Sequence, residues 1–514
     1  MLKKIAAFCL ATLLAAGPII TSTNNGAINY YGISASAASD YSYKDNYGVT
    51  YTFTVKDDQT ATLTGFSNAK ANLVLPSTVK ANGVSYTVTA LGDNFGKANN
   101  TIQTLTIPNS ITTIGDKCFW SAYSLKTVNN GSGVTECGSY AFSGSQWCET
   151  AIDQNGYRTL GKVLISYETC DTTLDMSVSK FDNIEYIISG AFGMNDDLEY
   201  LILPKNINKV DGMLAPQNLE EVKFYDRSLN RYVDLYDVCM NDNRNSFQSE
   251  FISNSYDAFA QTKVGDRITL ETVKKIFQEC GIAYKGAPGN TGYTALEEYN
   301  VVRKIYAYIC QNFPIYANIA DSGSTSFQAE LFHHRGLVCV GFAEMLAYFC
   351  KHAGIKCVEV RGEGHAWDVI NVGGRWFNVD CCATWTLSRQ TFLTPDRTVE
   401  NEMGCHHKEA HFQQYVCNTQ FGDINFDGMV NSTDASLILN AYTTMNKPNC
   451  QFSSLQLVLC DVNRDGKINS VDACRVLAYY AYASTYKDQN GNPSSDVPSI
   501  ESYMHSIDGD TLMS

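Results

Sequence analysis

The chain has 514 residues, 44% of them hydrophobic and 18% charged, with a formal net charge of -15. At roughly 100–200 residues per domain this length predicts about three or four domains, and the ordinary apolar content excludes a chain disordered overall. The acidic balance argues against a nucleic-acid partner, which needs a basic stripe, and fits calcium sites or plain solubility. The 18 cysteines are many for a large protein, yet far below the roughly 8–10% of a small disulfide scaffold.

At the N-terminus, Lys3 and Lys4 precede an apolar run from Ile5 to Gly17 that breaks at Pro18, and small residues follow up to Ala35-Ser36-Ala37. This pattern predicts a secretory signal peptide over residues 1–37, too short and interrupted for a membrane anchor. Elsewhere nothing approaches the roughly 20 apolar residues of a membrane span. The expectation is an exported, extracellular protein whose surface attachment comes from a binding module.

Residues 38–225 read as a repeat region. The string Ile107-Pro108-Asn109-Ser110-Ile111-Thr112-Thr113-Ile114-Gly115-Asp116-Lys117-Cys118-Phe119 has short apolar pulses at near-fixed intervals. Leu73 to Pro76 and Leu201 to Pro204 repeat a strand-then-Pro ending, while Cys118-Phe119, Ala141-Phe142 and Ala191-Phe192 repeat a small residue followed by Phe. Phe119 and Phe142 lie 23 residues apart, a solenoid period that places one short strand per unit and stacks its Phe in a continuous core. The stretch from Gly144 to Asp175 breaks the register. The string resembles the BspA-like leucine-rich repeats of bacterial surface proteins, over about residues 60–225. That resemblance implies an irregular solenoid, serving as a concave surface for a protein or glycan ligand or as a spacer. Cys118 stands where the pattern usually has Ala and is read as a small core residue, as are Cys350 and Cys474.

Residues 226–294 are expected to form a helix-containing connector, and residues 295–400 carry the chemistry. Val301, Val302, Ile305, Tyr308 and Ile309 have helical spacing. Gly336 to Ala343 leads into a second helix with Phe342, Met345, Leu346 and Phe349 on one face and Gly354 as its stop. Cys339 therefore falls at the helix start, where the macrodipole favours a thiolate. After a strand at Ile355 to Val360, Gly373-Gly374 between two alternating runs predicts a tight hairpin. That hairpin opposes His365 to Cys382 and brings Asp380 within hydrogen-bond reach of His365 on the same face. A helix-start cysteine with an Asp-oriented histidine is the logic of cysteine acyl transfer.

The three motifs, Gly336 to Ala343, Gly364 to Trp367 and Gly374 to Asp380, resemble the signature of the transglutaminase-like superfamily of papain-type α+β folds. The resemblance implies Cys339 as nucleophile, His365 as general base and Asp380 as the residue orienting the imidazole. Two departures stand out: Asp368 follows Trp367 where the family usually has Asn, and Cys381, Cys382 and Ala383 separate Asp380 from Thr384-Trp385. The oxyanion donors reduce to the Cys339 amide, with Gln328 a weak side-chain candidate. His406, His407 and His411 lack the order and third ligand of a zinc site and are read as a solvated helix end. His333-His334 is read as a surface loop.

Residues 401–420 are read as a linker, 421–487 as a module and 488–514 as a loose tail. Within the module, Asp423, Asn425, Asp427, Met429, Asn431 and Asp434 recur 38 residues later as Asp461, Asn463, Asp465, Lys467, Asn469 and Asp472. Oxygen ligands at loop positions 1, 3, 5 and 12, Gly428 or Gly466 at 6 and a carbonyl at 7 are what a calcium loop requires. Each loop opens a helix, and no entering helix precedes the first. This duplication resembles a dockerin, a small all-α module. The resemblance implies two Ca2+ ions, a cohesin partner on a cellulosome scaffold and partner-facing positions Ser432, Thr433, Ser470 and Val471.

The combined expectation is a secreted cysteine enzyme, a peptidase, amidase or transglutaminase acting on a protein or peptide. A calcium-dependent dockerin would attach it to a cohesin scaffold in the setting of plant polysaccharide degradation. The alternative is a non-catalytic surface or adhesion component whose repeats and papain-like domain bind protein or glycan. A glycosidase has no paired-carboxylate signal. Without Cys9 of the signal and the candidate nucleophile Cys339, sixteen cysteines remain, a number that permits disulfides without demanding them.

Overall fold

The computed structural model describes residues 41–508 except 57, 150–155, 168–170, 193–194, 213–215, 288–291, 315–325, 334–335, 363–364, 383–391, 397–414 and 488–496. The segment expected as a signal peptide, Gly364, Thr384-Trp385 and the His406, His407 and His411 cluster lie outside the described residues.

The solenoid opens with an antiparallel trio, Tyr41–Lys44, Thr50–Val55 and Thr60–Ser67, and continues as short parallel strands on two faces. One face pairs Val84–Leu91, Thr113–Ile114 and Glu136–Cys137, and another pairs Asn72–Val74, Thr104–Ile107 and Thr127–Asn130. Thr104 opposes Thr127 and Thr113 opposes Glu136, so the 23-residue spacing is the physical rise from one coil to the next. The same step recurs as Asp116 N donating to Asp93 Oδ1 (2.8 Å) and Ser139 N to Asp116 Oδ1 (2.7 Å). A Cβ on Gly115 or Gly138 would collide with those carboxylates, which explains the Gly in the I-G-D string. Phe95, Phe119 and Phe142 form the interior ladder, with ring centroids 5.9 and 5.5 Å apart. Cys118 is buried beside them. Beyond the irregular stretch, Val163–Tyr167, Tyr186–Ile187 and Lys209–Val210 resume the pattern.

The segment expected as a connector is folded into both neighbours. Strand Arg231–Asp234 pairs antiparallel with Glu221–Asp226 and closes the solenoid sheet. Helix α1 (Lys263–Cys280) starts at the Thr262 cap and ends at left-handed Gly281. Its Val264 and Ile268 lie in the solenoid core, and its Val273 and Phe277 in the next one.

That second core draws its residues from Val273 through to Met504. Helix α2 (Ala295–Asn312) is held by a capping box between Thr294 and Glu297. Helices α3 (Phe327–His333) and α4 (Cys339–Ala353) follow, and then the antiparallel sheet β1 (Cys357–Gly362), β2 (His365–Val372), β3 (Arg375–Val379) and β4 (Phe392–Thr394). Helix α4 lies across β1 and β2, burying Phe342, Met345, Leu346 and Phe349. The C-terminal module is α5 (Ser432–Thr444), α6 (Ser454–Cys460) and α7 (Ser470–Ala483), with α5 packed on α7 and α6 on α2.

Three expectations are corrected. The tail is not loose over Ile500–Asp508, which forms helix α8 with Ile500 and Met504 buried, because these residues sit one helical turn apart. Cys474 is exposed on α7 rather than in the core. His333 ends α3 with its side chain only 3% exposed, its Nε2 3.4 Å from Asp257 Oδ1, so it is not a surface-loop residue. No disulfide joins any two of the described cysteines.

Candidate functional site

Cys339 is the first residue of α4, following Val338 in extended conformation. Among the described residues no side chain caps this terminus, where a helix carries its positive dipole end, and Cys339 is partly exposed there. Helix α4 ends in left-handed Gly354, whose amide returns to Cys350 and Lys351 carbonyls. Its packing on β2 brings the helix beside the strand that begins with His365.

The hairpin pairs Val372 with Arg375 and Asp368 with Val379, the register of a two-residue turn at Gly373-Gly374, where φ is 59° and 85°. Asp380, just past β3, thereby reaches His365: Nε2 and Oδ2 are 2.7 Å apart. Asp380 Oδ1 accepts the Cys382 amide at 2.7 Å, so both carboxylate oxygens are held. The hydrogen bond to Asp380 raises the imidazole pKa above its ordinary value, against the opposing effect of burial. With Nε2 turned to the carboxylate, Nδ1 is the nitrogen left for a second partner. Among the described residues no hydrogen bond joins Cys339 to His365. The Gln328 amide donates to Asp266 Oδ1 at 2.8 Å on α1, away from the role considered for it. Burial, reinforced by Asp380, pushes the neighbouring Cys382 thiol up to about 12, and burial also raises Cys381.

Two residues to which the sequence assigned no role support the pair. Trp367 stacks on His365 with centroids 6.0 Å apart and planes at 16°, and its Nε1 donates to Asn378 Oδ1 at 3.0 Å. Asn378 in turn donates to Asp396 Oδ1 at 3.0 Å. The available signal is period two: His365 and Trp367 on β2, and Asn378 and Asp380 across the hairpin, alternate onto the same face of the sheet.

The two acidic loops have the same backbone. Phe426 and Arg464 at position 4 and Gly428 and Gly466 at position 6 all have φ between 58° and 83°. In the first loop Asp423 accepts the Asp427 and Gly428 amides, and Asp434 accepts those of Ile424 and Asn431. In the second, Asp461 Oδ2 accepts the Gly466 amide, and Asp472 accepts those of Asn463 and Asn469. Asn431 and Asn469 cap α5 and α7, and Asn425 and Asn463 donate to the Asp427 and Asp465 carboxylates. The Met429 and Lys467 amides donate to those same carboxylates. Among the described residues no three His, Cys, Asp or Glu side chains gather as a metal cluster; the loop pattern supplies Asn and carbonyl oxygens as well. The donor set nevertheless fits a cation. Asp461 Oδ1 is buried with no hydrogen-bond partner, and burial raises Asp461 to about 7 and Asp472 to about 6. Such carboxylates want a cation rather than solvent. Ser432, Thr433, Ser470 and Val471 are all exposed at the starts of α5 and α7.

Residues 89–215 and 170–283 match the BspA type leucine rich repeat region, with six copies. Residues 290–381 match the transglutaminase-like superfamily, and 421–479 the dockerin type I domain. Comparison with the curated proteins finds no match. Among solved structures, similarity extends to a leucine rich cell surface protein from Faecalibacterium prausnitzii A2-165, with 21% identity over 37% of this chain and 56% of that one, TM-score 0.24. The leucine rich repeat protein of T. pallidum has 18% identity over 34% and 67% of the two chains, TM-score 0.21. A leucine-rich repeat protein from Bacteroides capillosus ATCC 29799 has 22% identity over 34% and 94%, TM-score 0.18. The chain thus spans little more than half of the first of these proteins.

Proposed function

Because the chain joins a BspA-type leucine-rich repeat region, a transglutaminase-like domain and a dockerin type I domain, we propose that it is an exported cysteine enzyme docked to a cohesin scaffold among polysaccharide-degrading partners. The observation that carries the enzymatic reading is the 2.7 Å His365–Asp380 pair on the hairpin against which the helix beginning at Cys339 is packed.

In this reading Asp380 fixes the tautomer with the proton on Nε2, leaving the Nδ1 lone pair to take the Cys339 proton. The Cys339 sulfur attacks the acyl carbon and forms a thioester, while the imidazolium returns its proton to the departing amine. The helix-start amides, that of Cys339 first, stabilise the oxyanion. Water then attacks the thioester, His365 accepting its proton and returning it to the departing Cys339 sulfur, so that the acid leaves with the thiol and the neutral imidazole restored for the next cycle. Hydrolysis is favoured over transfer to an amine because water is always present and no dedicated amine site is required. Substrates are peptide or protein amides.

Calcium, when bound, neutralises the acids of the two loops and fixes the helices that follow them. Asp423, Asn425, Asp427, the Met429 carbonyl, Asn431 and Asp434 would hold one ion, and Asp461, Asn463, Asp465, the Lys467 carbonyl, Asn469 and Asp472 the other. Exposed Ser432-Thr433 and Ser470-Val471 would face cohesin; their unequal chemistry makes the two faces inequivalent. Among the described residues no helix is long and apolar enough to cross a membrane.

The test is a thiol-directed active-site probe applied to the mature protein, with Cys339→Ser and His365→Ala as comparisons. Labelling concentrated at Cys339 and weakened by His365→Ala supports the enzyme. Labelling spread evenly over the cysteines moves the assignment to a binding protein. One observation favours that second reading: an acidic cleft of about 500 Å³ on the solenoid, lined by Asp93, Asp116, Glu136, Glu185, Tyr186 and Lys209.

A further inference from the structure

The two calcium loops differ in where they sit. The first is exposed from Asn425 to Met429, and the hydrogen bonds to Asp423 come from its own loop. The second is pressed against α2. Tyr299 Oη, buried on that helix, donates to Asp461 Oδ2 at 2.8 Å, and Arg303 donates to the Asp465 carbonyl at 3.1 Å. Two helix-spaced residues of one domain thus grip positions 1 and 5 of a loop in another.

The grip continues into the sheet. Arg464, at position 4 of the same loop and 1% exposed, donates to the Leu393 carbonyl on β4 (3.3 Å) and to Glu501 on α8 (3.1 Å), and lies over the Phe421 ring. Leu393 has φ of 52°, a left-handed conformation costly for a branched side chain, at the irregularity where β4 pairs with β3. Strand β3 ends one residue before Asp380. Helix α2 itself packs against α4, which begins at Cys339.

We propose that the second loop is a composite metal site: the docking segment supplies the calcium ligands, and Tyr299 and Arg303 of the transglutaminase-like domain supply the outer hydrogen bonds. This rests on the reading that the loops bind calcium. Tyr299 orients the Asp461 carboxylate so that its unpartnered Oδ1 is presented to the ion. It is a positioning residue, and calcium bound in this loop stabilises α2 along with the docking segment. Among the described residues the first loop has no hydrogen bond from the transglutaminase-like domain.

The test uses the mature full-length chain and calcium alone, read by calorimetry and by amide hydrogen exchange. Wild type is expected to bind two ions, and Asp423→Ala to retain the second site. Adding Tyr299→Phe, which removes only a hydroxyl, is expected to weaken that remaining site by about 10–100-fold, the usual effect of losing an outer-shell partner. In the Asp423→Ala protein, calcium should slow exchange in residues 295–312, a readout independent of any change at Tyr299. Unchanged affinity in Asp423→Ala/Tyr299→Phe, or α2 exchange indifferent to calcium, overturns the composite site. Absence of calcium binding by wild type overturns the underlying calcium reading instead.

Discussion

His365 Nε2 and Asp380 Oδ2 sit 2.7 Å apart although 15 residues separate them, because a two-residue Gly373-Gly374 turn folds β3 back along β2. The carboxylate raises the imidazole pKa. The folded state therefore binds the proton more tightly than the unfolded chain. The stabilisation is fully present below the unfolded histidine value and is lost as pH rises through the folded one. In Asp380→Asn the His365 pKa should fall, measured by the pH dependence of its ring proton shifts; an unchanged value would show that the carboxylate does not set it.

Asp368 lies on the opposite face of β2, 1% exposed, with Cys357 Sγ 3.3 Å from its Oδ1. Burial, aided by Cys350, raises its pKa well above the ordinary carboxylate value. Folding therefore gains from this group below the unfolded value near 3.8, and the gain disappears as pH rises through the folded value. Asp368→Asn should raise Tm at pH 8 by about 2–4 °C, the effect of ~1 kcal/mol in a domain of 150–250 residues, with a smaller difference at pH 4. Equal effects at both pH values would place the carboxylate charge elsewhere.

Arg464 and Glu501 form a buried pair, their side chains 1% and 0% exposed. Glu501→Gln removes a counter-charge from the buried guanidinium and should cost about 3–5 kcal/mol, read by denaturant unfolding. A loss below ~1 kcal/mol would mean that α8 does not hold the pair as described.

Phe119 is fully buried between Phe95 and Phe142. Phe119→Ala should destabilise the solenoid by about 3–5 kcal/mol, measured by denaturant unfolding followed at a solenoid probe. Near-neutral behaviour would contradict a continuous ladder.

What the sequence made legible was local or periodic. The 23-residue step shows in the Phe positions, the hairpin register follows from Gly373-Gly374, and the two loops reveal themselves by duplication. The Tyr299–Asp461 and Arg464–Leu393 contacts were not legible, since 162 and 71 residues separate the partners and no pattern in either segment announces the other. The Ser, Asp and Pro neighbours of helix α8 mask its Ile500–Met504 spacing in the sequence. Cys474 was misplaced because α7 presents apolar residues to solvent too: Leu477 and Tyr480 are exposed while Val476 is buried. A thiol's side of a helix follows from phase, not from its polarity.

Cys339 is proposed to act as a nucleophile assisted by His365. Its most direct measurement is the single-turnover acylation rate of the mature protein by an activated acyl ester, with the adduct mapped by mass spectrometry. The expected result is one acyl group on Cys339, none in Cys339→Ser, and a rate lowered about 10²–10⁴-fold in His365→Ala, the usual contribution of a general base. Acylation scattered over several cysteines, or a rate indifferent to His365→Ala, would contradict it.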